Sequence, residues 1–207
     1  MEKNYNIYTR DDLENLTGEE VERMLTLLPS WRREKALRFK HEQGRKECAC
    51  AYLLLCQALK EVYGITEQPA FIIGEHGKPA LRFNSPFSIP HFQLFFNLSH
   101  CKHAVACVVA DHPVGVDVES IGRYNESLAR HVLNDQEFAL VQQAPDPQLA
   151  FTRYWTQKEA IVKLTGRGID DDLKNLLINY HQVTLHTEEY PDKGYVLTVA
   201  FSASESV

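Results

Sequence analysis

Apolar positions in the first third of the chain recur at helical spacing. Thr17-Gly18-Glu19-Glu20 has the form of a capping box, with Thr17 as N-cap, Glu20 at N3, and Leu16 and Val21 set as a hydrophobic staple. The helix it opens ends at Leu28-Pro29, because proline disfavours helical backbone in the residue before it. Ser30 is expected to cap a basic helix over Trp31–Phe39. A longer helix over Arg45–Tyr63 carries the stripe Ala49, Leu53, Cys56, Leu59 and Tyr63, and Gly64 can supply the left-handed stop. Strands then follow over Ala70–Ile73, Leu81–Phe83, Leu94–Leu98, Ala104–Ala110 and Val114–Glu119. Between them lie turn chemistry at Gly74–Pro79, a loop with two prolines at Asn84–Pro90, the polar segment Ser99–His103, and the turn Asp111-His112-Pro113.

The second half restarts the alternation. Asn134-Asp135-Gln136-Glu137 caps a short helix to Gln142, and Pro145-Asp146-Pro147 breaks it. Asp146 then caps a longer helix with Pro147 at N1, which stops at Gly166. Leu176–Thr187 and Tyr195–Phe201 read as strands around a turn at Pro191–Gly194. Each half thus runs helices first and strands second, and each ends on an apolar strand. That order suggests an internal duplication with its junction near Asp111–Pro113, and a site in the cleft between two lobes.

At 207 residues the chain suits one large domain or two closely packed lobes, and its 44% hydrophobic content excludes disorder. The net charge of −6 argues against general nucleic-acid binding, while leaving room for local basic clusters that bind a small anion. The N-terminus is polar, and no apolar run reaches the roughly 20 residues needed to span a bilayer. The five cysteines are read as reduced thiols of a cytoplasmic protein.

Two stretches carry the chemistry. In Gly115-Val116-Asp117-Val118-Glu119, strand alternation puts the valines on one face and Asp117 and Glu119 on the other. Two carboxylates on one face suit a hard divalent cation, or simply a solvated strand face. In Trp155-Thr156-Gln157-Lys158-Glu159-Ala160-Ile161-Val162-Lys163, the apolar arc holds Phe151, Tyr154, Trp155, Ile161 and Val162, with Glu159 and Lys163 at its edge. Glu159 and Lys163 are also spaced as an ordinary i,i+4 surface pair. Lys158 falls inside the arc, where it must snorkel or meet an anion. Together Asp117, Glu119 and Glu159 offer three oxygen ligands for octahedral Mg²⁺ (or Mn²⁺), with Lys158 and Lys163 flanking phosphates.

Asn97-Leu98-Ser99-His100 ends an apolar strand, where Ser99 and His100 can hydrogen-bond a phosphate. Gly77-Lys78-Pro79 reads as a rigid turn presenting a lysine. The phosphate loops GxxxxGK[ST] and GxGxxG and the nucleophile motif GxSxG do not occur. Cys48 and Cys50 are spaced too tightly for a structural zinc pair, and zinc at His100, Cys101, His103 and Cys107 is disfavoured because His103 and Cys107 lie in a strand-like segment.

These motifs resemble a 4′-phosphopantetheinyl transferase of the larger, surfactin-synthetase-associated (Sfp-like) type. The family's Val/Ile-Gly-Val/Ile-Asp-x-Glu strand corresponds to Val114–Glu119, and its Trp/Phe-Ser/Thr-x-Lys-Glu-Ala/Ser-x-x-Lys helix to Trp155–Lys163. Gly77-Lys78-Pro79 and Phe96-Asn97-Leu98-Ser99-His100 match upstream; the first 70 residues match more loosely, through Arg38-Phe39 and Arg45. The resemblance implies an α/β (α+β) monomer, a pseudo-twofold pair of lobes with helices packed on small, mostly antiparallel sheets, divided as 1–112 and 113–207. It implies coenzyme A in the cleft, Mg²⁺ at Asp117, Glu119 and Glu159, and transfer of the phosphopantetheine arm to a serine of an apo acyl or peptidyl carrier protein, with release of adenosine 3′,5′-bisphosphate. Neither nucleic acid nor membrane is an expected partner. By position, Arg45 and His100 would contact the 3′-phosphate region, Lys78 and Pro79 would lie near the adenine, and Lys158 and Lys163 would face the phosphates. Glu159 would act as base, Lys163 would stabilise the leaving phosphate, and His100 would assist. The same acids would also serve a Mg²⁺-dependent phosphohydrolase acting on a nucleotide pyrophosphate. The tail after Gly168 is shorter than in longer relatives.

Overall fold

The capping box at Thr17 forms as its sequence dictates: the Glu20 amide donates to the Thr17 hydroxyl, and the Glu20 carboxylate accepts from the Thr17 amide. It opens helix α1 (Gly18–Thr26) of a computed structural model that describes residues 5–74, 78–82, 93–122, 124–166 and 172–202. Gly77, Phe83, the Asn84–Pro90 loop and Gly168 lie outside the described residues.

Helix α2 spans Ser30–Leu37; its N-cap is Pro29, so Ser30 is the first helical residue and not the cap. Helix α3 (Glu42–Tyr63) begins three residues earlier than expected and ends at Gly64, whose φ of 68° is the left-handed conformation open to glycine. The buried face of α3 is set by Tyr52, Leu55, Ala58 and Leu59, while Leu53, Cys56 and Tyr63 of the anticipated stripe are only partly buried.

The strands are β1 (Tyr5–Arg10), β2 (Ala70–Ile73), β3 (Pro79–Arg82), β4 (Phe95–His100), β5 (Val105–Ala110) and β6 (Val114–Ser120) in the first part. Helices α4 (Glu126–Val132), α5 (Asp135–Gln143), α6 (Pro147–Thr165) and α7 (Leu176–Asn179) follow, then β7 (Val183–Tyr190) and β8 (Tyr195–Ser202). Strand β1 and helix α4 were not anticipated. The residues Leu176–Asn179, read as strand, are helical, and Ser99 and His100, read as loop, complete β4.

One topology occurs twice. The first sheet has the order β1-β5-β4 and the second β6-β8-β7, and all neighbours run antiparallel. In both, an opening strand is followed by helices and then by a hairpin whose second strand inserts beside the first. The middle strands β5 and β8 are accordingly buried along nearly their whole length.

Alternation sorts the core into layers. Val105, Cys107 and Val109 of β5 pack with α3, whereas Ala106, Val108 and Ala110 pack with Val114, Val116 and Val118 of β6 and Tyr195, Leu197 and Val199 of β8. The two sheets therefore meet face to face, with α3 outside the first and α6 outside the second. Each fully buried valine contributes about 1.5–3 kcal/mol of apolar transfer, so this seam is a substantial part of the stability.

The outer face of β6 is covered by α6 at very close range. A Cβ placed on Gly115 would lie 2.2 Å from the Ala160 carbonyl oxygen and 2.5 Å from the Leu164 nitrogen. Glycine at the head of the acidic strand is thus what lets the α6 backbone lie on it.

Candidate active site

The carboxylates of β6 point toward α6 and are not a solvated face. Asp117 is 3% exposed. Its Oδ1 accepts the Lys163 ammonium at 2.6 Å and the Ser99 hydroxyl at 3.0 Å, while its Oδ2 is buried with no hydrogen-bond partner among the described residues. Glu119, two residues on, accepts the Trp155 indole N–H at 3.3 Å. Trp155, Glu159 and Lys163 are spaced i, i+4, i+8 and so form one stripe of α6. Because Trp155 meets Glu119 and Lys163 meets Asp117, Glu159 lies on the stripe between those two contacts.

The first sheet reaches this site through β4. The Val116 amide donates to Asn97 Oδ1 at 3.1 Å, and the Val118 amide donates to Ser99 Oγ at 3.1 Å. Ser99 Oγ also accepts from Lys163 at 2.8 Å. With one donor and two lone pairs, a serine hydroxyl is fully used by Asp117, Lys163 and Val118.

A divalent cation fits this donor set in one specific respect: Asp117 keeps a buried oxygen that no described residue satisfies, at a cost that a bound cation would remove. Hard cations take such carboxylate oxygens. Among the described residues, no three carboxylate, imidazole or thiol groups converge into a group that could hold a metal ion. His100, Cys101, His103 and Cys107 form no such group either, and all five cysteines are free thiols.

Lys158 does not reach this site. It is fully buried, pairs with Glu137 at 2.8 Å, and donates to the Leu173 and Lys174 carbonyls at 2.7 and 3.1 Å. The anion it meets inside the apolar arc is a protein carboxylate, itself the N3 residue of the α5 capping box. Burial pushes the Lys158 ammonium below its ordinary pKa, and Glu137 opposes that shift.

Lys78 donates to the Lys163 and Leu164 carbonyls at 2.7 and 3.0 Å, where it satisfies the end of α6. Desolvation lowers its pKa. Lys78 and Pro79 line a cavity of about 380 Å³ with Leu81, Phe96 and Leu164. Pro79 also borders a second cavity of about 300 Å³ that is ringed by Arg32, Lys35, Phe39, Phe71 and His100.

His100 hydrogen-bonds Glu47 at 3.0 Å and remains half exposed. Burial pushes the Glu47 carboxyl up, but hydrogen bonds from His100 and Gln43 outweigh it and hold it below the usual carboxylate range. Arg45 donates to the Phe39 carbonyl at 3.1 Å and so braces the turn between α2 and α3. Sequence reasoning missed Arg32 and Lys35 as lining groups. Their signal was present in the basic run Trp31–Lys35, but nothing local tied that run to His100.

The family described as the 4′-phosphopantetheinyl transferase superfamily matches residues 113–206, which contain β6 and α6. A 4′-phosphopantetheinyl transferase of Bacillus subtilis is 28% identical over 182 residues, covering 86% of this chain and 77% of the relative. The 4′-phosphopantetheinyl transferase psf-1 of Bacillus pumilus is 30% identical over 176 residues, covering 84% and 72%. The transferase AcpT of Salmonella typhimurium is 41% identical over a shorter span of 103 residues, 47% of this chain and 50% of the relative. With the two motifs on facing elements and similarity running through most of both chains, this chain belongs to the 4′-phosphopantetheinyl transferase superfamily and is an enzyme of its Sfp-like type.

Proposed function

We propose that the enzyme transfers the 4′-phosphopantetheine arm of coenzyme A to a serine hydroxyl of an apo carrier protein, with Mg²⁺ required and adenosine 3′,5′-bisphosphate released. The observation that carries this reading is the buried, unpartnered Oδ2 of Asp117, beside Glu119 and opposite the Glu159–Lys163 stripe. Asp117, Glu119 and Glu159 would hold the cation. Bound there, Mg²⁺ supplies neutralising charge to a pyrophosphate.

The remaining roles belong to side chains. Glu159 accepts the serine proton, since a serine hydroxyl is a poor nucleophile until a base takes it. The serine oxygen then bonds the phosphorus that carries the pantetheine arm, and the bond to the bisphosphate leaving group breaks. Lys163 stands ready to stabilise the charge that develops on that leaving group. Arg32, Lys35 and His100, braced by Arg45, suit the 3′-phosphate of coenzyme A, and the apolar cavity at Lys78 and Pro79 suits its adenine. We assign residues 1–112 and 113–207 to two lobes of a monomer acting in the cytoplasm, where five free thiols are at home.

Incubation with coenzyme A, Mg²⁺ and a panel of apo acyl and peptidyl carrier proteins should add the mass of the arm to one serine, and Glu159→Ala should abolish the addition. No mass gain on any carrier would overturn the reading. Steady hydrolysis of coenzyme A without carrier would replace it with a pyrophosphate hydrolase.

A further inference from the structure

Asn97 and Ser99 stand two residues apart on β4, and the amides they accept, Val116 and Val118, stand two residues apart on β6. The match is one of period: side chains on one face of a strand recur every second residue, as do the amides on one edge of another. β6 is an edge strand of its sheet, with β8 on its other side. Its outward amides are therefore satisfied by side chains of the opposite sheet, in place of a neighbouring strand.

The two clamps differ in one respect. Asn97 touches β6 through the Val116 amide. Ser99 additionally donates to Asp117 Oδ1 and accepts from Lys163. With Oδ1 occupied by two donors, the carboxylate is held in one orientation and presents only Oδ2.

We infer that Ser99 is a positioning residue of the reaction. It does not bind phosphate; it fixes Asp117 as a one-oxygen ligand and places the Lys163 ammonium beside it. The inference rests on the metal role proposed above for Asp117. Partners that orient a metal-binding carboxylate typically account for about 10–100-fold in metal affinity.

The test compares four variants of the full chain: Ser99→Ala, Ser99→Thr, Asn97→Ala and Asp117→Asn. Mn²⁺ binding is read from loss of the free-ion electron paramagnetic resonance signal, with coenzyme A present and carrier absent, alongside thermal melting. Steady-state transfer supplies kcat and KM for coenzyme A. Ser99→Ala should weaken Mn²⁺ about 10–100-fold and lower kcat with little change in KM, and Ser99→Thr, which keeps the hydroxyl, should restore both. Asn97→Ala removes an equivalent bond to β6, so it should lower the melting temperature similarly while leaving Mn²⁺ affinity near wild type.

Equal weakening of Mn²⁺ by Asn97→Ala and Ser99→Ala would reduce Ser99 to a structural clamp. A raised KM with unchanged Mn²⁺ affinity in Ser99→Ala would return it to phosphate binding. Either result overturns the inference while Asp117→Asn still loses Mn²⁺. Wild-type Mn²⁺ affinity in Asp117→Asn would instead remove the metal role of Asp117 and the inference with it.

Discussion

Lys158 and Lys163 sit five residues apart on one helix and do opposite jobs. Lys163 reaches the acidic strand; Lys158 is sealed against Glu137 and two carbonyls. Removing one partner of a buried ion pair leaves a charge that water cannot reach, at a cost of about 3–5 kcal/mol, while replacing both with apolar groups is often neutral. Glu137→Leu should therefore lower the urea midpoint sharply, and Glu137→Leu with Lys158→Met should recover most of the loss. A double variant no more stable than the single one would show that the pair itself specifies the packing of α5 on α6. Helical periodicity put Lys158 in the apolar arc and showed that it needed an anion. It had no means of choosing between a phosphate and Glu137, because that choice depends on how α5 folds back along α6. The bonds of Ser99 to Asp117 and Lys163 were hidden for the same reason: these partners are 18 or more residues away.

Among the elements, β6 and α6 are coupled through Gly115. A methyl group there would collide with the α6 backbone at Ala160 and Leu164, and backbone cannot rotate away as a side chain can. Gly115→Ala should shift α6 outward, destabilise the chain by about 1–3 kcal/mol as overpacking does, and impair transfer by moving Glu159 and Lys163 from Asp117. Melting temperature and transfer rate check the two halves of that expectation; full transfer with normal stability would mean the contact is looser than it stands. The elements legible from pattern include α1, α2, α3, α5 and α6 among the helices and β2, β4, β5, β6 and β8 among the strands, where caps, apolar stripes or bounding turns mark them. Strand β1 was missed because Tyr5-Asn6-Ile7-Tyr8 alternates too briefly beside a polar start, and it becomes a strand only by pairing with β5. Leu176–Leu177 read as strand because a short apolar run does not distinguish one turn of helix from an extended segment.

Across the whole molecule, several tyrosines are placed so that folding opposes their ionisation. Burial, with Glu188 nearby, pushes the Tyr5 hydroxyl up to about 12, and burial likewise raises Tyr52 and Tyr195. A hydrogen bond to Glu188, with burial second, pushes Tyr190 up to about 12. A group whose pKa is raised in the fold keeps a proton there that the unfolded chain releases. Its contribution to stability is complete below the ordinary tyrosine value of 10.0 and is lost as pH climbs toward 12. Stability should accordingly fall steeply across that window, and tyrosinate absorbance should rise together with loss of circular dichroism. Tyrosinate forming well before unfolding would refute the placement of these hydroxyls.

The repeated topology sets an order of assembly during synthesis. The middle strand of each sheet is the last strand of its half, so the first sheet can close once Ala110 has left the ribosome, while β6 waits for β8, more than 70 residues later. Until then Asp117 and Glu119 ride on a strand held to the first sheet through Asn97 and Ser99 and covered by α6 once that helix has formed. Loss of β8 would remove the centre of the second sheet and not its margin.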